Sequence, residues 1–174
     1  GTEETFAGMV RTAEKDKGED IQGSQSGLPD FKTEEETVRE QLVAWQTVWL
    51  EKSTTAKGNS IYTFRVDTVK NVDDTTWQYF KNEQALKDAD FHLVGESWGA
   101  SYKDTKGDLG TGSMDSLLDF GFKDIAKLLV NGNLKQANEE LIARNDVLTS
   151  SYTLAQFLGS HDEDGFLYSI GGDL

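Results

Sequence analysis

Residues 61–96 read IYTFRVDTVKNVDDTTWQYFKNEQALKDADFHLVGE, and their punctuation decides the fold. Ile61-Tyr62-Thr63-Phe64-Arg65-Val66 is a short β-branched and aromatic run, the composition of a strand. Asp73 or Asp74 can cap a helix carrying Trp77 and Phe80, and a second apolar run, Phe91-His92-Leu93-Val94, follows. Strand, helix, strand at this spacing is the repeating unit of a parallel α/β sheet. Upstream, Thr33 and Glu36 form a capping-box pair ahead of Val38, Leu42, Trp45 and Trp49, which recur at helical spacing and stop at Lys57-Gly58-Asn59. Downstream, Met114 to Phe120 reads as a third strand. Phe122, Ile125, Leu128 and Leu129 then form a helical stripe ended by Asn131-Gly132. Leu134, Ala137 and Leu141 open another helix, and Tyr152 to Leu158 is a fourth strand. The sheet is expected to be parallel, open or closed into a barrel, with function at the carboxyl ends of its strands.

Composition narrows the classes of function. The chain has 174 residues, enough for one domain of ordinary size, and no internal repeat that would indicate a solenoid. Asp and Glu number 31 against 17 Lys and Arg, a formal net charge of −14, which argues against binding a nucleic-acid backbone or an anionic membrane surface. With no cysteine, thiol catalysis, disulfides and cysteine-ligated zinc are excluded. No apolar stretch approaches the length of a membrane span, and Gly1-Thr2-Glu3-Glu4-Thr5 has neither the basic start nor the apolar run of a signal peptide.

Three strand-like runs finish on acids: Asp67, Glu96 and, after Phe157-Leu158-Gly159-Ser160-His161, Asp162. A parallel sheet delivers all three to one edge, where like charges raise at least one pKa and let acid and base roles coexist. Arg65 stands two residues before Asp67, so both side chains leave the strand on the same face and the guanidinium can hold that aspartate ionised.

Four segments then carry a resemblance. Phe64-Arg65-Val66-Asp67-Thr68-Val69-Lys70 resembles the fourth-strand motif of the α-amylase family of glycoside hydrolases (family 13). Leu93-Val94-Gly95-Glu96 is similar to its fifth-strand motif, Phe157 to Asp162 to its seventh-strand motif, and Gly27-Leu28-Pro29-Asp30 to a motif near the end of its small inserted domain. The order agrees, and so does the spacing: Asp67 to Glu96 is 29 residues, one βα unit, and Glu96 to Asp162 is 66, two units. The resemblance implies a partial (β/α)8 TIM barrel, about strands 4 to 7 with their helices, over residues 28–174, with 1–27 as the tail of the inserted domain or a loop. It implies that strands one to three precede Gly1 and the eighth follows Leu174.

It also implies the chemistry of a retaining α-glucan hydrolase, α-amylase or neopullulanase-like, acting on starch-type oligosaccharides and polysaccharides. Asp67 would be the nucleophile, Glu96 the general acid and base, and Asp162 the carboxylate that binds sugar hydroxyls. Arg65 would pair with Asp67, His161 would hydrogen-bond the sugar, and Lys70 would contact it on the leaving-group side. Trp98 and Tyr102 offer aromatic faces for stacking on sugar rings, with core packing the alternative for Trp98. Calcium is the cofactor the resemblance allows, through the Asn71 backbone carbonyl, although Asn71 replaces the family's histidine. The setting implied is extracellular and bacterial. Without the third-strand motif the chain alone is expected to be inactive, and its exposed strand edges to require the missing strands or a complementary fragment.

Other readings compete. A transglycosylase would use the same residues, and a fragment without turnover could still bind carbohydrate. Gly95-Glu96-Ser97-Trp98-Gly99 fits the nucleophile elbow of α/β-hydrolases, with Asp146 and His161 in the required order, but Ser101 to Gly112 lacks the helix that must follow Ser97. Residues from Ser160 to Gly171 fail as a calcium-binding EF-hand loop because glycine occupies its twelfth position. Gly107 to Gly112 has no dinucleotide spacing. His92, alternating with apolar neighbours, is expected to be a hydrogen-bonded structural histidine.

Overall fold

Short apolar runs become the strands of this protein. In the computed structural model, which describes residues 6–11, 21–25, 27–103, 114–148 and 154–172, they are β1 (Thr63–Val66), β2 (His92–Gly95), β3 (Ser116–Asp119) and β4 (Leu154–Gln156). They form one sheet in the order β1-β2-β3-β4. His92 N donates to Tyr62 O and Glu96 N to Val66 O, so β1 and β2 advance together. Val94 faces Ser116 across β2 and β3, and Leu117 faces Leu154 across β3 and β4, both pairs parallel. Sequential neighbours without a reversal of strand order are the arrangement of a (β/α) barrel; a doubly wound open sheet doubles back at a switch point. The helices are α1 (Glu36–Ser53), α2 (Asp74–Ala85), α3 (Phe122–Val130), α4 (Leu134–Val147) and the single turn α5 (Phe166–Ser169). No helix among the described residues is long and apolar enough to cross a membrane.

The chain divides into two compact units, Gly1–Phe64 with Thr68–Leu93, and Arg65–Asp67 with Val94–Leu174. In the first, Phe91, Leu93 and Val69 are fully buried, and the Phe64 ring meets Phe91 edge-on at 5.2 Å and Phe80 at 6.3 Å. Trp77 adds an edge contact to Phe80 and donates its indole N–H to Val69 O at 2.8 Å. In the second, Leu117, Leu154, Ile125 and Ala137 make the apolar interior, and two buried charges sit among them. Asp119, at the end of β3, is closed off from solvent and accepts from Arg144 of α4 at 3.1 Å and from the Phe122 backbone N–H at 3.1 Å. One carboxylate thus ties strand, helix start and next helix together.

Local signals were misread in two places. The capping box at the start of α1 does not form: Glu35 is the N-cap residue, with no side-chain cap, and the Thr33 hydroxyl donates instead to Asp73. Asp73 caps α2 by accepting from the Thr76 N–H and hydroxyl, as its position before that helix leads one to expect. A tertiary partner of higher charge outcompetes the local cap for Thr33. The buried face of α1 is Val38, Val43 and Leu50, with Leu42 and Trp45 half-buried and Trp49 61% exposed, so the stripe rolls off the core toward the helix end. His92 is exposed, since its alternation places it on the solvent face of β2.

Candidate active site

β1 delivers its side chains alternately, with Val66 buried and Arg65 and Asp67 on the open face. The strand ends there because Thr68 takes a left-handed backbone, φ +53°, the single non-glycine residue of positive φ among those described. The bond from Glu96 N to Val66 O, 2.7 Å, fixes the register so that Glu96 emerges beside the turn carrying Asp67. All of Arg65, Asp67, Glu96, Trp98, His161 and Asp162 belong to the second unit.

The two carboxyls differ in environment. Asp67 is 62% exposed, whereas the Glu96 side chain is 6% exposed. Arg65 bridges them, with Nη1 3.5 Å from Asp67 Oδ2 and Nη2 2.9 Å from Glu96 Oε2. The expected Arg65–Asp67 pair is present, but the closer partner is Glu96. Burial pushes the Glu96 carboxyl above its ordinary range; a hydrogen bond with Asp67, the Asp67 charge and the Asp162 charge push the same way, against Arg65. Glu96 Oε1 is buried with no hydrogen-bond partner among the described residues. A carboxyl whose pKa is raised above that of an exposed neighbouring carboxylate can donate a proton on one side of a bond while the other attacks.

Asp162 stands half-exposed with His161 Nε2 at 3.1 Å from Oδ2, and its charge reaches Glu96. Trp98 is 50% exposed and its inner edge rests on Phe120 at 4.9 Å, which in turn meets Phe157 edge-on at 5.0 Å. Packing and platform are therefore both present in one ring. Tyr102 is not available for stacking: it is buried and donates its hydroxyl to Glu140 of α4, to which Lys103 is also paired. Lys70 lies in the first unit, half-buried on a 3-10 turn, Val69–Asn71. Residues 98–103 following Ser97 form turns and no helix, so the elbow geometry is absent. Among the described residues no group of three or more His, Asp or Glu side chains is arranged to hold a metal ion. Asn71 commits its N–H to Thr68 O in the turn.

Sequence reasoning missed the aromatic backing of Trp98. The signal was legible in retrospect, because Phe120 and Phe157 each directly follow a strand end, β3 and β4. It also missed the ion pair of Lys123 with Glu163, which is separated by 40 residues in sequence.

No protein-family model matches the chain. It is 29% identical over 150 residues to a cyclomaltodextrin glucanotransferase of Klebsiella oxytoca, covering 78% of this chain and 22% of that protein. It is also 29% identical over 150 residues to an alpha-amylase of Streptomyces lividans, covering 80% of this chain and 16% of the relative. Among solved structures, the alpha-amylase of Geobacillus thermoleovorans complexed with acarbose superposes with a TM-score of 0.74 at 21% identity, over 98% of this chain and 39% of that one. The chain thus spans about a fifth of the length of these curated relatives.

Proposed function

We propose that the chain, which is similar to one portion of alpha-amylases and of a cyclomaltodextrin glucanotransferase, belongs with the α-amylase family of glycoside hydrolases and carries the catalytic edge of a retaining α-glucan hydrolase. The observation that carries this reading is the unequal carboxyl pair, Glu96 buried with its pKa raised, Asp67 exposed, with Arg65 between them. Retention requires two carboxyl groups about 5–5.5 Å apart, one to attack the anomeric carbon and one to protonate the departing oxygen. Asp67 forms the glycosyl–enzyme bond as Glu96 donates its proton to the leaving glycosidic oxygen. Glu96, now a carboxylate, takes a proton from the water that displaces Asp67.

Asp162, oriented by His161, binds sugar hydroxyls as positive charge develops on the ring, and Trp98 offers its exposed face to a neighbouring sugar. The substrates are starch-type oligosaccharides and polysaccharides and the setting is extracellular.

In the full-length protein carrying this segment, Glu96→Gln should lower turnover of starch about 10²–10⁴-fold, and Asp67→Asn by at least as much, judged by reducing-sugar release. Near-parental rates in both variants would sink the assignment. The glucanotransferase relative favours one second reading, transfer of the glycosyl group to an acceptor sugar. Chromatography of the products distinguishes the two, since a transferase yields longer or cyclic glucans without new reducing ends.

A further inference from the structure

Asp162 begins a run of three acids, Asp162-Glu163-Asp164, and the middle one behaves unlike the others. Asp162 and Asp164 are exposed, whereas Glu163 turns inward to an ion pair with Lys123 of α3, the two side chains 16% and 13% exposed. Only Oε1 of Glu163 meets the ammonium, and Oε2 is buried with no hydrogen-bond partner among the described residues. Taking two charges out of water and leaving one oxygen unsatisfied is costly, and a solvated loop acid would avoid both costs. Lys123 is itself fixed. The preceding residue, Phe122, donates its N–H to buried Asp119, and a Cβ on Gly121 would lie 2.7 Å from Ser101 Cβ, so the start of α3 has little room to move.

We propose that the Lys123–Glu163 pair is the positioning device for Asp162: it anchors the residue immediately after Asp162 to α3 and leaves the Asp162 carboxylate to His161 and the site. This inference rests on the functional reading above.

The test uses the full-length protein and maltooligosaccharide kinetics. Lys123→Met should lower kcat about tenfold or more while KM changes by less than about threefold, the signature of lost transition-state geometry. Lys123→Arg should retain parental values, and the exchange Lys123→Glu with Glu163→Lys should recover at least about half of kcat. If Lys123→Met fails to fold, Glu163→Gln replaces it with the same expectation, its fold checked by circular dichroism. Parental kcat in either variant, or an exchange no better than the single change, overturns the proposal. An active Asp67→Asn protein would instead overturn the functional reading, so the two failures are distinct.

Discussion

Glu96 is a destabilising residue by its own chemistry, since its carboxyl is buried, one oxygen lacks a donor and its pKa is raised by burial first and by Asp67 next. A raised carboxyl contributes its full stability below the ordinary glutamate value of about 4.3 and loses it as pH rises through the folded value. Glu96→Gln should therefore gain thermal stability over the parent as pH rises through that window, with the difference vanishing in acid; a melting series against pH measures it. Activity has the matching sign: the basic limb of kcat/KM follows loss of the Glu96 proton, so it lies above the ordinary carboxylate range. Arg65→Gln, which removes the one cation favouring ionised Glu96, should move that limb to higher pH. Asp73 shows the opposite case. Burial pushes its carboxyl up, but hydrogen bonds from Thr76 and Thr33 outweigh this and bring it below the usual value. Its contribution is present above the ordinary aspartate pKa and is lost as pH falls through the folded one. Asp73→Ala should cost about 1 kcal/mol in urea unfolding at neutral pH and less in acid.

Among the elements, β3 and α4 carry the most exposed liability, the closed-off Asp119 with Arg144 as its cation. Arg144→Met leaves a buried charge without its partner and should cost about 3–5 kcal/mol, whereas Arg144→Met with Asp119→Asn should cost less, in the same unfolding assay. This pair was illegible in the sequence, because nothing in an Asp at a strand end or an Arg within a helix says that they meet across 25 residues. What was legible were features set by adjacent residues. The four strands and α2 to α4 follow from apolar runs and from Asp73, Asn131 and Gly132, although β1 and β3 are shorter than their runs and β2 is shifted by one residue. The Thr33–Glu36 box and the outer reach of the α1 stripe were misjudged because Asp73, 40 residues away, claims Thr33, and because a helix of 18 residues outruns the surface it packs on. Asp67 and Glu96 could be paired from sequence through strand spacing, but which of them is buried could not, since that depends on the Val66–Glu96 register.

For the whole molecule, β1 and β4 are the outer strands of the sheet among the described residues, and each presents one unpaired row of backbone donors and acceptors. The chain by itself should therefore self-associate, with light scattering giving a mass above 19.3 kDa that rises with concentration. A monomer of unchanged mass across that range would show that the edges are protected by other means.

The second compact unit borrows Arg65–Asp67 as an island of three residues, separated by residues 68–93 from its main body, which begins at Val94. An engineered polypeptide beginning at Val94 would keep Glu96, His161 and Asp162 but forfeit both the attacking carboxylate and the guanidinium beside the acid. Modular shuffling at that seam can thus inherit half of the chemistry, and recombination between relatives should succeed only where the crossover leaves residues 65–67 and 94–172 from one parent.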